Sequence, residues 1–234
     1  MPDARPVAVF AALEQEAHVL VHHLPRSPTI GPRISIWEGD GMVVVVGGVG
    51  KVAAALATQF AHDVFKPRCV VAVGLAGALR DETSRGQVVV ATGAAQHDMD
   101  GRPLTAARGV IPGLNLSAFS ADAPLAEKLL VAAKRAVENP RIVRSGLVLT
   151  GDQIVTSRAV RDALARDFPE ALCVDMETAA IAQVAHQNGL PWGAVRVTSD
   201  SADETFDLDD VIDFGVKTAG ELFARIMTDV VTDL

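Results

Sequence analysis

The sequence predicts an α/β fold with a largely parallel sheet, and three observations lead to this prediction. Short apolar runs typical of buried strands alternate with amphipathic stretches of helical period through most of the chain. Glycine and proline separate these segments, as they do where strands and helices end. The 234 residues contain no repeat, linker or low-complexity tract, so we expect one domain that spans residues 1–234.

The predicted strands are short apolar runs bounded by polar residues, glycine or proline. They lie at residues 6–12, 33–38, 42–46, 69–73, 87–92, 142–150 and 192–197, with one more run before Val174. Residues 39–41 (Gly-Asp-Gly) predict a hairpin turn between the second and third runs. Residues 74–77 follow the fourth run, and we interpret them as a glycine turn. Its backbone amides either face a ligand or form a simple tight turn.

The predicted helices carry apolar residues at helical spacing. They cover residues 13–24, 49–65, 124–137, 157–168, 178–188 and 208–231. Ser157 is predicted to cap the fourth helix, and Gly189 with Pro191 ends the fifth. Residues 101–122 show no clear period. A loop of that length in a compact domain is usually functional, so we interpret it as a lid or an interface.

Composition excludes several classes of partner. The net charge of −8 argues against nucleic acid and against an anionic membrane surface, because each needs a basic face. No apolar run approaches the ~20 residues of a membrane span, and residues 7–13 are too short a run for a signal peptide. Cys69 and Cys173 each fall inside an apolar run, which indicates buried thiols in a reducing compartment. We therefore expect a cytoplasmic protein.

Two short motifs suggest a cofactor or a metal, and neither holds on closer reading. Residues 48–53 fit the glycine fingerprint G-x-G-x-x-A of dinucleotide-binding folds, but the next strand ends without the acid that would hold a ribose. Close packing of the helix start on the sheet is the favoured interpretation. His97, Asp98 and Asp100 cannot easily all face one ion, and no second cluster supplies further ligands. We expect neither a metal nor a cofactor.

Acidic residues follow four of the predicted strands, and this pattern predicts the functional site. They are Glu14 and Glu16, Asp152, Asp175 and Glu177, and Asp200. In α/β sheets small ligands bind at the carboxyl ends of the strands. Carboxylates there can accept hydrogen bonds from sugar hydroxyls, and they can act as general acid or base where burial raises the pKa. The sequence therefore predicts a small-molecule enzyme with acid–base chemistry.

Several blocks of sequence carry a resemblance to a known family. They are AALEQEA at 11–17, GGVGKVAAALA at 47–57, VGLAGAL at 73–79, HDMD at 97–100, GLVLTGDQIV at 146–155, VDMETAAIAQVAHQNGLP at 174–191 and VRVTSDSAD at 195–203. In these blocks the chain resembles the purine nucleoside phosphorylase/nucleosidase superfamily and, within it, the 5′-methylthioadenosine/S-adenosylhomocysteine nucleosidases. The resemblance implies a three-layer α/β sandwich with a central mixed, largely parallel sheet.

The resemblance also implies a role for each site residue. Glu16 would activate a water that attacks the anomeric carbon, and Arg196 would help to place that water. Glu177 would grip the ribose hydroxyls beside Met176, and Asp200 would protonate or hydrogen-bond purine N7. The remaining implied site residues are Ala76, Gly77, Ile154, Val155, Asp175, Ser199 and Phe206. Either Ile154 or Gln153 stands where the family has an aromatic residue that stacks on adenine. Phe206 and Leu208 are both candidates for a second stacking position.

Three functions remain open at this stage. The first is hydrolysis of methylthioadenosine and S-adenosylhomocysteine, which Leu75 favours because the phosphorylases have a phosphate-binding serine there. The second is a purine nucleoside phosphorylase, or a nucleosidase for another purine nucleoside of the futalosine type. The third is a ligand-binding protein without catalysis, which the four residues Glu16, Glu177, Arg196 and Asp200 argue against. The resemblance implies a homodimer, with residues 49–65 and 101–122 as the interface.

Overall fold

The computed structural model describes residues 5–27, 34–81, 83 and 85–234. The strands are β1 (Val7–Ala11), β2 (Ser35–Gly39), β3 (Met42–Val46), β4 (Cys69–Ala78), β5 (Val88–Gln96), β6 (Phe119–Ser120), β7 (Val143–Thr150), β8 (Ala171–Asp175) and β9 (Trp192–Asp200). The helices are α1 (Glu14–Val21), α2 (Lys51–Phe65), α3 (Ala123–Ala136), a 3₁₀ turn (Pro140–Ile142), α4 (Arg158–Asp167), α5 (Thr178–Gln187), α6 (Leu208–Phe214), a π-helical turn (Gly215–Ala219) and α7 (Gly220–Asp233). The predicted α/β alternation is confirmed.

Within the described residues the strands form one mixed sheet in the order β2-β3-β1-β4-β8-β7-β5-β6, and β9 pairs with both β4 and β5. The pairs β1–β3, β1–β4, β4–β9, β5–β7 and β7–β8 are parallel. The pairs β2–β3, β4–β8, β5–β6 and β5–β9 are antiparallel. Because β9 bridges β4 and β5, the strands β4, β8, β7, β5 and β9 close on themselves. This half of the sheet is a small barrel.

Helices cover both faces of the sheet and make the three layers that were predicted. Successive residues of β1 point to opposite faces, since Val9 packs in one hydrophobic cluster and Phe10 in the other. The first cluster receives α1, α3 and α7, for example through Phe223. The second receives the alanine-rich faces of α2 and α5, for example through Ala57. Small side chains let these two helices lie close to the strands that carry the site.

The glycine turn predicted at residues 74–77 is wrong, because β4 runs straight through it to Ala78. The two glycines are there for space. A Cβ on Gly74 would lie 2.0 Å from Arg196 Nη1, and a Cβ on Gly77 would lie 2.9 Å from the Cβ of Ala202. Neither glycine has a positive φ, so no left-handed backbone is needed. From local sequence, glycine for close approach looks the same as glycine for a turn.

Most other predicted elements are confirmed with shifted ends. β5 and β9 extend to Gln96 and Asp200, beyond the predicted ends at 92 and 197. The hairpin turn is confirmed, with φ of 52° at Asp40 and 76° at Gly41. Arg33, where the second strand was predicted to begin, lies outside the described residues. Ser157 is the N-cap of α4, but its side chain makes no capping hydrogen bond.

Two long segments keep the character that the sequence predicts. Residues 101–122 are irregular apart from β6 and a single bridge between Ile111 and Leu116. The closing helix is interrupted by the π-helical turn, where Gly215 lies against Leu75 of β4. A π-helical turn often lies beside a functional site, and Leu75 does line the pocket described below.

Candidate active site

A cavity of about 220 Å³ opens beside β4 and at the carboxyl ends of β1, β8 and β9. Every predicted site residue except Arg196 lines it: Glu16, Ala76, Gly77, Ile154, Val155, Asp175, Met176, Glu177, Ser199, Asp200 and Phe206. Parallel neighbours end at the same edge of a sheet, so β1, β4 and β9 bring residues distant in sequence together. Arg196 lies on β9 and is fully buried.

Glu16 is buried and held by three backbone amides. Its Oε2 accepts hydrogen bonds of 3.0 Å from the amides of Ala12 and Leu13, and its Oε1 accepts one of 3.0 Å from Leu75. The first two amides belong to the turn between β1 and α1, so the start of the helix folds around the carboxylate. Oε1 accepts only one of these bonds and keeps a lone pair for a further donor.

Arg196 is held from one side by a buried carboxylate. Its Nε lies 2.7 Å from Asp175 Oδ2 and donates to Thr178 Oγ1 at 2.9 Å. Asp175 in turn accepts from Thr150 Oγ1 at 2.5 Å and from the hydroxyl of Thr178. Burial acts to lower the pKa of Arg196, but Asp175 and Glu177 outweigh it and the pKa rises. Asp175 lines the cavity, yet its contacts are those of an anchor for Arg196.

The free end of Arg196 and the carboxylate of Glu16 converge over Gly74. Arg196 Nη1 and Glu16 Oε1 lie 2.0 and 2.8 Å from the point where a Cβ on Gly74 would stand. Both terminal nitrogens of Arg196 lack a hydrogen-bond partner among the described residues, although they are buried. Buried donors without partners are costly, and they indicate a place where a ligand or a water binds. A donor and an acceptor therefore face one small space beside the cavity.

Glu177 is the second buried acid of the cavity. Its Oε1 accepts a hydrogen bond of 2.9 Å from the amide of Gly50, and its Oε2 lies 4.0 Å from Arg196 Nη2. Burial, followed by repulsion from Asp175, raises the pKa of Glu177 to about 7 despite the nearby Arg196 and the Gly50 amide. Charge on this carboxylate is thus sensitive to whatever the cavity holds.

Asp200 ends β9 and faces the same cavity from the other side. Its Oδ2 accepts from Ser199 Oγ at 2.7 Å, and its Oδ1 accepts from the amide of Ala202 at 2.8 Å. Ala202 has a positive φ of 50°, so the backbone bends sharply after the strand to reach this carboxylate. Ser199, one of the implied site residues, therefore supports the Asp200 carboxylate by a direct hydrogen bond.

The mouth of the cavity is apolar and open. Ile154 and Leu208 are 52% and 55% exposed, and Leu13 and Val49 are 39% and 49% exposed. Phe206 is half-buried among them. Ile154 and Phe206 can contact the faces of a flat heterocycle, whereas no side chain of the mouth offers a charge. The acids lie deep in the cavity and the apolar groups lie at its entrance.

Two of the acids that pointed to a site lie outside it. Glu14 is exposed and pairs with Arg26 at 3.4 Å. Asp152 accepts from the amide of Lys51 at 2.8 Å and does not line the cavity. Asp98 and Asp100, considered above as metal ligands, pair with Lys51 and Arg102. An acid after a strand can serve the start of a helix as well as a ligand.

Sequence reasoning missed the backbone amides and hydroxyls that hold the acids. The amides of Leu75 and Gly50 bond to Glu16 and Glu177, and the hydroxyls of Thr150 and Thr178 bond to Asp175. A backbone amide leaves no mark in the sequence. The one available signal was the glycine motif at residues 48–53, whose Gly50 has a positive φ of 95°.

None of the helices in the described residues is a candidate for a membrane-spanning segment.

Comparison with known proteins identifies relatives that match most of the chain. A family model described as the phosphorylase superfamily matches residues 6–232. The chain is 37% identical to the 5′-methylthioadenosine/S-adenosylhomocysteine nucleosidase of an Exiguobacterium species over 210 residues. These aligned residues cover 86% of this chain and 88% of the relative.

Solved structures agree with this likeness. The crystal structure of 5′-methylthioadenosine/S-adenosylhomocysteine nucleosidase from Neisseria meningitidis, in complex with methylthio-immucillin-A, has a TM-score of 0.90 and 35% identity. It covers 98% of this chain and all (100%) of its own. The futalosine hydrolase of Helicobacter pylori has a TM-score of 0.87 at 23% identity, with 99% of each chain covered. At that identity the second likeness shows the fold alone.

Proposed function

The chain belongs to the phosphorylase superfamily, and from this premise we propose that it hydrolyses the N-glycosidic bond of 5′-methylthioadenosine and S-adenosylhomocysteine. The products are adenine and a 5-thio-substituted ribose. The prediction of a nucleosidase is confirmed by the relatives named above. The observation that carries the proposal is the arrangement of one cavity, in which Glu16, Glu177 and Asp200 face the same space from three elements.

Attack on the sugar is the task of Glu16 with Arg196. A water over Gly74 would donate one proton to Glu16 Oε1 and accept a hydrogen bond from Arg196 Nη1, the two groups that converge there. Glu16 takes the proton as the water oxygen bonds to the anomeric carbon. The amides that hold Glu16 fix its direction, so little reorganisation is needed during the reaction.

Glu177 supports the sugar while the glycosidic bond breaks. Cleavage of such a bond leaves positive charge on the ribose ring, as in other glycoside hydrolyses. A carboxylate that accepts hydrogen bonds from the ribose hydroxyls lies close to this charge and stabilises it. Met176, the residue before Glu177, lines the cavity and would pack against the sugar. The ribose thus binds where two buried acids already face the cavity.

Asp200 assists the departure of the base. Adenine leaves readily only if the negative charge that develops on its ring is neutralised at N7. Asp200 supplies the proton or hydrogen bond, and Ser199 and the Ala202 amide hold its carboxyl group in place. Ala76, Gly77 and Val155 form the walls around the base, and Ile154 and Phe206 lie at the open side.

Water suits this cavity better than phosphate as the nucleophile. Neither lysine nor arginine is among the described residues that line it, while Glu16, Asp175, Glu177 and Asp200 are. The Leu75 amide, which could bind an anion, already donates to Glu16. Its side chain is apolar and packs against Gly215. A phosphate would have to enter a cavity lined by four acids, and Arg196, the cation beside it, is already paired with Asp175.

The proposal is tested by a panel of nucleosides in phosphate-free buffer and in added phosphate. We expect adenine release from methylthioadenosine and S-adenosylhomocysteine at the same rate in both buffers. Strict dependence on phosphate would contradict the hydrolysis. The second candidate is a nucleosidase for another purine nucleoside of the futalosine type, and it is supported by the aliphatic Ile154 at the open side of the cavity. Faster base release from a 6-substituted nucleoside than from methylthioadenosine would favour that candidate.

The finer expectations about assembly and location are also part of the proposal. A homodimer is supported by an exposed apolar strip that begins at the cavity mouth with Val49 and continues on α2 with Val52 and Leu56, which are 81% and 62% exposed. Leu104 in the loop of residues 101–122 is 84% exposed and would close the partner's cavity. Two unpaired buried cysteines, Cys69 and Cys173, support a cytoplasmic location.

The substitution Leu56→Asp tests the dimer. A carboxylate in the centre of an apolar interface is costly, so the variant should sediment as a monomer. Its KM should rise because the mouth of the cavity loses a wall. Val131→Asp on α3, where the valine is 40% exposed, is the matched control and should leave mass and KM unchanged. A wild-type protein that is monomeric at assay concentration would overturn the proposed homodimer.

A further inference from the structure

The start of α2 is linked directly to the acid that we assign to the sugar. Gly50 is the N-cap of α2, has a positive φ of 95°, and donates its amide hydrogen to Glu177 Oε1 at 2.9 Å. Glu177 has no other backbone donor among the hydrogen bonds of the described residues. The direction of this carboxylate therefore depends on where α2 begins.

A ring of polar contacts fixes that point. The Lys51 amide donates to Asp152 Oδ1 at 2.8 Å, and its ammonium donates to Asp98 Oδ1 at 2.6 Å and to Gln96 Oε1 at 3.3 Å. Asp98 Oδ2 accepts from the amide of Asp152 at 3.0 Å, which closes the ring. The contacts tie α2 to the residues that follow β5 and β7. They connect the glycine motif of residues 48–53 with the acidic motif of residues 97–100.

The lysine is unusual for its position. The N-terminal end of a helix carries partial positive charge, so a cation in the first turn is unfavourable there, and α2 has no acid in its own first turn. The Lys51 side chain is only 19% exposed, which adds a cost of desolvation. Burial acts to raise the pKa of Asp98, but the bonds from Lys51 and Asp152 outweigh it and the pKa falls. A strong ion pair holds an unfavourable residue in place.

From these contacts we propose that Lys51, Asp98 and Asp152 are positioning residues that hold the Gly50 amide against Glu177 and thereby set how tightly the ribose hydroxyls are bound. The proposal rests on the nucleosidase function proposed above. Lys51 and its two carboxylate partners do not line the cavity, so they act through Gly50. The charged groups that face Glu177 from the other elements are Asp175, Arg196 and Glu16, and none of them is part of the ring.

The test compares two substrates in the substitution Lys51→Met. One is methylthioadenosine, and the other is its 2′,3′-dideoxy form, which lacks the hydroxyls that Glu177 binds. We expect kcat/KM for methylthioadenosine to fall by about tenfold or more, as for the loss of a hydrogen bond to a charged group. For the dideoxy substrate we expect little change, so the preference for ribose should collapse.

Two further variants keep the test decisive. Lys66→Met makes the same change at the other end of α2, where the lysine is 63% exposed, and should leave the ribose preference intact. Asp98→Asn preserves shape and should reproduce the Lys51→Met result. In the double variant Lys51→Met/Asp98→Asn, kcat/KM for methylthioadenosine should fall no further than in the more affected single variant. Both substitutions act on the same contact, the hydrogen bond from Gly50 to Glu177.

The outcomes are distinguishable from a failure of the proposed function. If wild type releases no adenine from methylthioadenosine, the nucleosidase proposal fails. If wild type is active and Lys51→Met or Asp98→Asn lowers kcat/KM equally for both substrates, the ring is structural only and the positioning proposal is overturned. An unchanged preference for ribose in a folded Asp98→Asn variant, checked by its thermal midpoint, overturns it as well.

Discussion

The deep end and the mouth of the cavity are built in opposite ways. At the deep end, Glu16 is held by three amides, and Arg196 is fully buried and bonded to Asp175 and Thr178. At the mouth, Ile154 and its apolar neighbours are about half exposed, and their side chains make no hydrogen bonds. The groups that we propose to react are therefore fixed by hydrogen bonds, whereas the groups that we propose to contact the base and the 5′ substituent are not.

This difference separates chemistry from selectivity. Fixed donors and acceptors lower the barrier because they need no rearrangement in the transition state. Apolar contacts at an open mouth contribute affinity in proportion to the area they bury, and a partner subunit can add to that area. A change at the deep end should thus act on turnover or on folding. A change at the mouth should act on substrate choice.

The largest effect is expected from Asp200→Asn at the deep end. The asparagine keeps the shape but cannot donate the acid proton to purine N7, and general acid catalysis contributes about 10²–10⁴-fold. Turnover of methylthioadenosine should fall by that factor, while its Kd from calorimetry stays close to that of wild type. Turnover equal to wild type would show that Asp200 is not the acid.

A smaller effect is expected from Glu177→Gln, and it depends on pH. Burial, followed by repulsion from Asp175, raises the pKa of Glu177 from its ordinary value of 4.5 to about 7 in the folded protein. An acid whose pKa is raised by folding stabilises the protein fully below the unfolded pKa, and this contribution is lost as pH rises through the folded value. Wild type should lose about 3 kcal/mol of stability relative to Glu177→Gln between pH 4.5 and pH 8.

Urea unfolding of both proteins at several pH values measures this difference. Because the glutamine does not titrate, the other groups cancel in the comparison to first order. A stability difference that stays constant across this pH range would show that Glu177 is charged throughout. In that case the deep end would be less perturbed by burial than we infer.

The smallest effect is expected at the mouth, from Ile154→Phe. An aromatic ring that stacks on adenine adds about 0.5–1.5 kcal/mol, so KM should fall by about two- to tenfold while kcat changes little. Val131→Phe on α3 adds the same ring away from the cavity and should leave KM unchanged. A large change in kcat would mean that the mouth also affects the acids at the deep end. It would contradict the separation of substrate choice from turnover.

Much of the fold was predictable because its signals are local. The alternation of apolar runs and amphipathic stretches predicted the α/β class. The Gly-Asp-Gly sequence at residues 39–41 predicted the hairpin turn, which has a positive φ at Asp40 and Gly41. The extension of β4 through Gly74 was not predictable. A glycine that makes room for Arg196 has the same local appearance as one that turns the chain, and the arginine is more than a hundred residues away in the sequence.

The sequence alone determined which chemical groups are available: the acids after the strands, an arginine inside an apolar run, two cysteines and a net charge of −8. The tertiary structure alone decided which of them meet. Glu16 and Arg196 face each other over Gly74 because β4 pairs with β1 on one side and with β9 on the other. Asp152 instead accepts a hydrogen bond at the start of α2 and lies outside the cavity. Periodicity in the sequence indicates only contacts between residues that are close along the chain. Contacts between residues that are far apart in sequence depend on which strands pair.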